Sequence, residues 1–148
     1  MTPRLTLATA QRVLRQVLAD HRSVAMILVV PLVLIGLLAW ILPGELLFDR
    51  IGPALLGIFP MVVMFLVTSV TTLRERTSGT LERLLSTPIG KGDILGGYAV
   101  ALGALAVVQA VLASAFAVWV CGLDVAGPPW LLVAVAVATA LVGTSTGL

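Results

Sequence analysis

Charge is scarce in this sequence. Of its 148 residues only 11% are Asp, Glu, Lys or Arg, against about 25% in an average soluble domain. Hydrophobic residues make up 59% and the mean hydropathy is +1.13, so the chain reads as a membrane protein rather than one that must cover a water-facing surface. A single histidine and a single cysteine leave no zinc cluster and no intrachain disulfide, and Cys121 reads as a small apolar filler. A phosphate loop is missing as well. The one Gly-Lys pair, Gly90-Lys91, is followed by Gly92, and Leu85 stands where the first glycine of G-x-x-x-x-G-K-[ST] belongs, so the chain does not hydrolyse ATP by that route. No Ser/His/acid or paired-carboxylate arrangement offers an enzyme site. Nine basic against seven acidic residues is a small excess that follows membrane topology, and no nucleic-acid partner is read from it.

Charges divide the chain into four long uncharged stretches: Val24–Leu42, Ile51–Leu73, Ile94–Cys121 and Trp130–Leu148. Each approaches or exceeds the roughly 20 residues a helix needs to cross about 30 Å of hydrocarbon. None alternates with period 2, and a backbone in lipid must satisfy its own hydrogen bonds, so all four read as helices. The first stretch is also longer than the roughly 7 to 15 apolar residues of a cleaved signal, and it reads as a retained anchor. The expected fold is all-α, a polytopic bundle of four transmembrane helices preceded by an interfacial amphipathic helix. That helix falls in residues 1–23, where Leu7, Ala10, Gln11, Leu14 and Leu18 recur at intervals of three or four, with Arg12, Arg15 and Gln16 elsewhere around the wheel. His21 falls at the membrane boundary as a solvated residue.

Arg4, Arg12, Arg15 and Arg22 precede the first span, and Arg74, Arg76, Arg83 and Lys91 lie between the second and third; the other two loops share Arg50. The positive-inside rule therefore places the N-terminus and the loop 74–93 in the cytoplasm, in a multi-pass protein of the cell membrane. Trp40, Trp119 and Trp130 fall near the opposite ends of their spans, as an aromatic belt requires. Small residues four apart (Ala99 and Gly103, Ala106 and Ala110, Ala134 and Ala138, Gly143 and Gly147) are expected to let helices approach closely. Pro31 and Pro60 fall inside the first two spans and are candidate kinks.

No ionisable residue lies in any of the four stretches. A stand-alone small multidrug carrier driven by protons needs one at membrane depth, so transport by this chain requires energy from elsewhere. A non-transporting accessory protein is the other alternative, and for it the loop is a solvated charge cluster. The loop has more pattern than that reading needs. Leu81, Leu84 and Leu85 share one side of a short helix expected over Thr80–Ser86, with Glu82 and Arg83 on the other side. Gly79 permits a sharp entry, Pro88 stops the helix, and Asp93 is placed to cap the third span. A leucine stripe on so short a helix calls for a surface to bury it.

The run Arg74-Glu75-Arg76-Thr77-Ser78-Gly79-Thr80-Leu81-Glu82-Arg83-Leu84-Leu85-Ser86-Thr87-Pro88-Ile89, with Gly96-Gly97-Tyr98 and Gln109 after it, resembles the intracellular loop of type-2 ATP-binding-cassette (ABC) exporter permeases. The drug, antibiotic and lipid exporter branch is the most similar. The resemblance extends to the N-terminal helix and the spacing of the spans, over essentially all 148 residues. It implies a permease subunit that exports a drug, antibiotic or lipid-like substrate, with a coupling helix docked on a separate ABC ATPase subunit. It also implies a second permease copy or homologue, and no cofactor in this chain, ATP and magnesium being held by the ATPase. Carried over by position, the coupling element is Thr80–Ser86, with Arg74, Glu75, Arg76 and Glu82 around it. No substrate-path residue is assigned. Such permeases have six membrane helices, whereas this sequence reaches Leu148 in its fourth span, and the expectation is a fragment of the six-helix domain.

Overall fold

A computed structural model describes residues 3–42, 45–77, 91–124 and 127–148. They form five α-helices and no strand: α1 (Pro3–Ala19), α2 (His21–Ile41), α3 (Glu45–Thr77), α4 (Lys91–Trp119) and α5 (Pro129–Gly147). The last four are long and apolar enough to cross a membrane. α2 and α4 run from the end of the bundle that carries the basic residues to the end that carries the tryptophans; α3 and α5 run back.

Local chemistry explains several boundaries. Asp20 caps α2, its carboxylate accepting the Arg22 N–H at 3.1 Å and the Ser23 hydroxyl at 2.8 Å. Pro129 opens α5, where its missing N–H is no loss. At the tryptophan end, Gly122 turns the chain through φ +68, a conformation that favours glycine. The Leu123 N–H then reaches the Ala117 carbonyl at 3.0 Å, and the Asp124 N–H reaches Asp49 at 2.8 Å. α3, with 33 residues, is about 50 Å long at 1.5 Å per residue and overshoots the hydrocarbon. Its helix continues beyond the uncharged stretch, so Arg74, Glu75 and Arg76 belong to its last turns rather than to a loop.

Between membrane helices, van der Waals contact between small residues replaces the hydrophobic drive of water-soluble cores. α4 shows this most fully: Ala101, Ala106, Ala110, Ala113 and Ala117 are all buried. α3 and α5 are parallel and in register, Gly143 lying on the Met61 backbone and Gly147 on that of Phe65. The expected small-residue pairs are realised in part. Ala106 and Ala110 are buried and Gly143 and Gly147 make their close approach, but Ala134, Ala138 and Ala99 are exposed, and on α5 the buried pair is Ala136 and Ala140. Trp40, Trp119 and Trp130 are 79%, 84% and 67% exposed, as a belt facing lipid head groups requires. Cys121 is a free, half-buried thiol packed against the apolar cluster at that end.

α1 docks differently from the expected stripe. Thr9, Ala10, Val13 and Val17 are the buried face, Leu14 is half-buried, and Leu7 and Leu18 remain exposed. The reason is the partner: α1 lies along the head of α4, whose glycine leaves room for a β-branched side chain. A Cβ on Gly97 would stand 2.6 Å from Thr9 Cβ.

Candidate functional site

At the basic end, α1 and its junction with α2 meet both helices that flank the predicted coupling segment. Arg74 Nη1 on α3 donates to Asp20 Oδ2 at the α1–α2 junction, 3.3 Å away. Thr6 Oγ1 near the start of α1 donates to Asp93 Oδ1 in the first turn of α4, at 3.2 Å. Asp93 is buried and sits inside the first turn, where its charge complements the helix dipole; the expected cap position is one that it does not occupy, because α4 already begins at Lys91. The Thr77 hydroxyl turns back onto the Leu73 and Arg74 carbonyls at 3.0 and 3.1 Å. The segment 78–90 is therefore bracketed by two side-chain contacts to one short helix and its junction. Gly79, Thr80, Leu81, Glu82, Arg83, Leu84, Leu85 and Pro88 lie outside the described residues.

The junction forms a small half-open cavity of about 120 Å³, lined by Val13, Gln16 and Val17 of α1, Asp20, Ser23 of α2, and Thr71 and Arg74 of α3. The Ser23 hydroxyl holds the Asp20 carboxyl below its ordinary range, with help from the Arg22 and Ser23 backbone N–H groups and the Arg74 charge, against some desolvation. Sequence reading assigned no role to Asp20 or Ser23. Their signal was an Asp four residues before the apolar run that begins at Val24, with a hydroxyl three residues on, the signature of a helix start.

Within the spans the polar side chains divide into two groups. Thr139, Thr144, Ser145 and Thr146 donate to carbonyls three or four residues back on their own helix. Among the described residues, the Gln109 amide and the hydroxyls of Thr68, Thr72, Tyr98 and Ser114 are buried with no hydrogen-bond partner. No group of His, Cys, Asp or Glu among the described residues could hold a metal ion.

The family profile described as ABC-2 type transporter matches residues 4–148, nearly the full chain. The chain belongs to that family. This ABC-2 chain is also similar to the probable multidrug ABC transporter permease YbhR of Escherichia coli K12 and to that of Escherichia coli O157:H7. Each is 33% identical over 75 residues, which are 51% of this chain and 20% of the relative. The match thus spans about a fifth of the length of those permeases. No solved structure matches. As an ABC-2 family member with four helices among the described residues long and apolar enough to cross a membrane, the chain is a multi-pass membrane protein.

Proposed function

We propose that this chain is the membrane-embedded permease part of an ATP-driven exporter and that residues 80–86 dock on a separate ABC ATPase subunit, which holds ATP and magnesium. Its substrate class would be a drug, antibiotic or lipid-like molecule, the multidrug designation of the YbhR relatives favouring the first. A second permease copy would complete the transport path, and the N-terminus and the segment 78–90 would face the cytoplasm, where the basic residues gather.

One observation carries the coupling reading: Asp20–Arg74 and Thr6–Asp93 fasten both flanks of the segment 78–90 to α1 and its junction with α2. A push on the segment would reach α3 through Arg74 and α4 through Asp93, and α1 would tie the two responses together. The spans supply no ionisable group of their own to couple to a gradient, so work must enter from outside the bundle, and the spacing of Leu81, Leu84 and Leu85 supports this segment as the place a partner would grip. Leu84→Asp is expected to abolish co-purification with the ATPase while membrane insertion is retained, and Leu84→Met to keep the complex. Survival of the complex with Leu84→Asp would remove this segment as the dock.

A further inference from the structure

The cavity at the α1–α2–α3 junction combines three properties that a water-exposed ion pair does not need. It holds one charge of each sign, Asp20 and Arg74, and is also lined by the hydrogen-bonding side chains of Gln16, Ser23 and Thr71 and by the buried apolar Val13 and Val17. It lies at the border of the bilayer, where α2 begins its apolar run and that of α3 ends. Its surroundings also carry exposed apolar side chains, Leu18, Val70 and Leu73, which acyl chains would cover.

We propose that this cavity binds the head group of phosphatidylethanolamine, Asp20 taking the ammonium and Arg74 the phosphate. Opening the Arg74 contact gives each residue capacity for the ligand. Of its about four lone-pair sites, the Asp20 carboxylate commits some to Arg22 and Ser23, and the one that Arg74 occupies becomes free for the ammonium; Arg74, 70% exposed, meets Asp20 through one Nη1 contact at 3.3 Å and keeps its other N–H donors for the phosphate. A wet pair of this kind is weak and opens readily around a ligand that supplies both complementary charges. The dipolar cavity also selects. Phosphatidylglycerol brings a phosphate but no cation for Asp20. Phosphatidylcholine brings a cation with no N–H to donate, bulkier by its methyl groups. The ammonium of phosphatidylethanolamine has three donors, for Asp20 and for oxygens of Gln16, Ser23 or Thr71. This assignment does not depend on the ATPase reading, since the head-group level exists whatever drives transport.

The test is lipid retention by the purified full chain in native mass spectrometry, with dioleoyl phosphatidylethanolamine, phosphatidylcholine and phosphatidylglycerol offered in equal amounts. Retention of phosphatidylethanolamine about tenfold above the other two is expected, the weight of one charge-assisted hydrogen bond. Asp20→Asn preserves the helix cap, because Asn caps as well as Asp, and is expected to reduce that preference to near unity. Gln16→Leu, which leaves the cap untouched, is expected to weaken it several-fold. Equal retention of the three lipids by the unaltered chain, or an unchanged preference in Asp20→Asn, would overturn the proposal. Soluble glycerophosphoethanolamine is expected not to displace the lipid; displacement at equal concentration would identify a free head group, not a membrane lipid, as the ligand.

Discussion

Asp20 and Arg74, 54 residues apart, meet at 3.3 Å where α1 turns into α2 beside the last turns of α3. The same carboxylate caps α2 through Arg22 and Ser23, so a single side chain starts one span and holds the end of another. Because its hydrogen bonds keep the Asp20 carboxyl below the ordinary range, its contribution to stability has a definite sign. It is fully present above the unfolded value of about 4 and is lost as pH falls through the folded value. Thermal melts of the chain in detergent are expected to shift downward below about pH 4, and the downward shift is expected to be smaller in Asp20→Asn. An identical acid response in the two proteins would show that this carboxyl does not contribute.

The parallel packing of α3 on α5 depends on two missing side chains. A Cβ on Gly143 would fall on the Met61 carbonyl, 2.9 Å from its carbon, and one on Gly147 would stand 2.8 Å from the Phe65 oxygen. Backbone cannot rotate aside as a side chain can, so the helices must separate. Gly143→Ala is expected to destabilise the bundle by about 1–3 kcal/mol, the usual range for overpacking, and Gly143→Leu by more. The measurement is the denaturant or thermal midpoint in detergent. At Gly103, by contrast, the nearest atom to an added Cβ is the tip of Leu141 at 3.4 Å, so Gly103→Ala is expected to be nearly neutral and serves as the control.

Gly97 makes a separate prediction about α1. An added Cβ would meet Thr9 Cβ at 2.6 Å and the Ala10 nitrogen at 3.1 Å, both rigidly attached to the α1 backbone. Gly97→Val is therefore expected to lift α1 off the head of α4 while the four spans stay assembled. Amide exchange across residues 3–19 should rise by about an order of magnitude or more, consistent with loss of about 1.4 kcal/mol or more of docking free energy, with exchange in α5 unchanged. If both regions exchange faster together, α1 is part of the bundle core and not a separable strut.

The spans were legible because lipid imposes a coarse requirement, and uninterrupted apolar length satisfies it. The tryptophan belt followed for the same reason: it depends on the membrane normal, not on neighbouring side chains. Helix facing was less legible. In α1 the stripe through Leu7 and Leu18 suggested one face, but the face chosen is set by Gly97 on another helix, and it selects Thr9, Val13 and Val17. On α5, Ala134 and Ala136 are equivalent as residue types, and the register of Gly143 against Met61 decides which of them is buried. Asp20–Arg74 was out of reach because a contact between residues 54 apart requires knowing that α1, α2 and α3 meet at one end. The leucines at 81, 84 and 85 lie outside the described residues, so their reading still rests on spacing.

Gln109 lies on the buried alanine face of α4, 1% exposed, and among the described residues neither its Oε1 nor its Nε2 has a partner. A primary amide surrounded by Ala106, Ala110 and Ala113 along its own helix face is a place where polarity works against the fold, since a buried group without its hydrogen bond carries the full desolvation penalty. Replacement by an apolar side chain of similar size removes that penalty and leaves the packing. Gln109→Leu is thus expected to stabilise the isolated chain by about 1 kcal/mol, the scale of polar terms between membrane helices, read as a higher unfolding midpoint in detergent. Gln109→Glu is expected to lower that midpoint, because an ionisable group inside a span is costlier than an amide. A loss of stability in Gln109→Leu would show that the amide does have a partner, and crosslinking from position 109 would identify it.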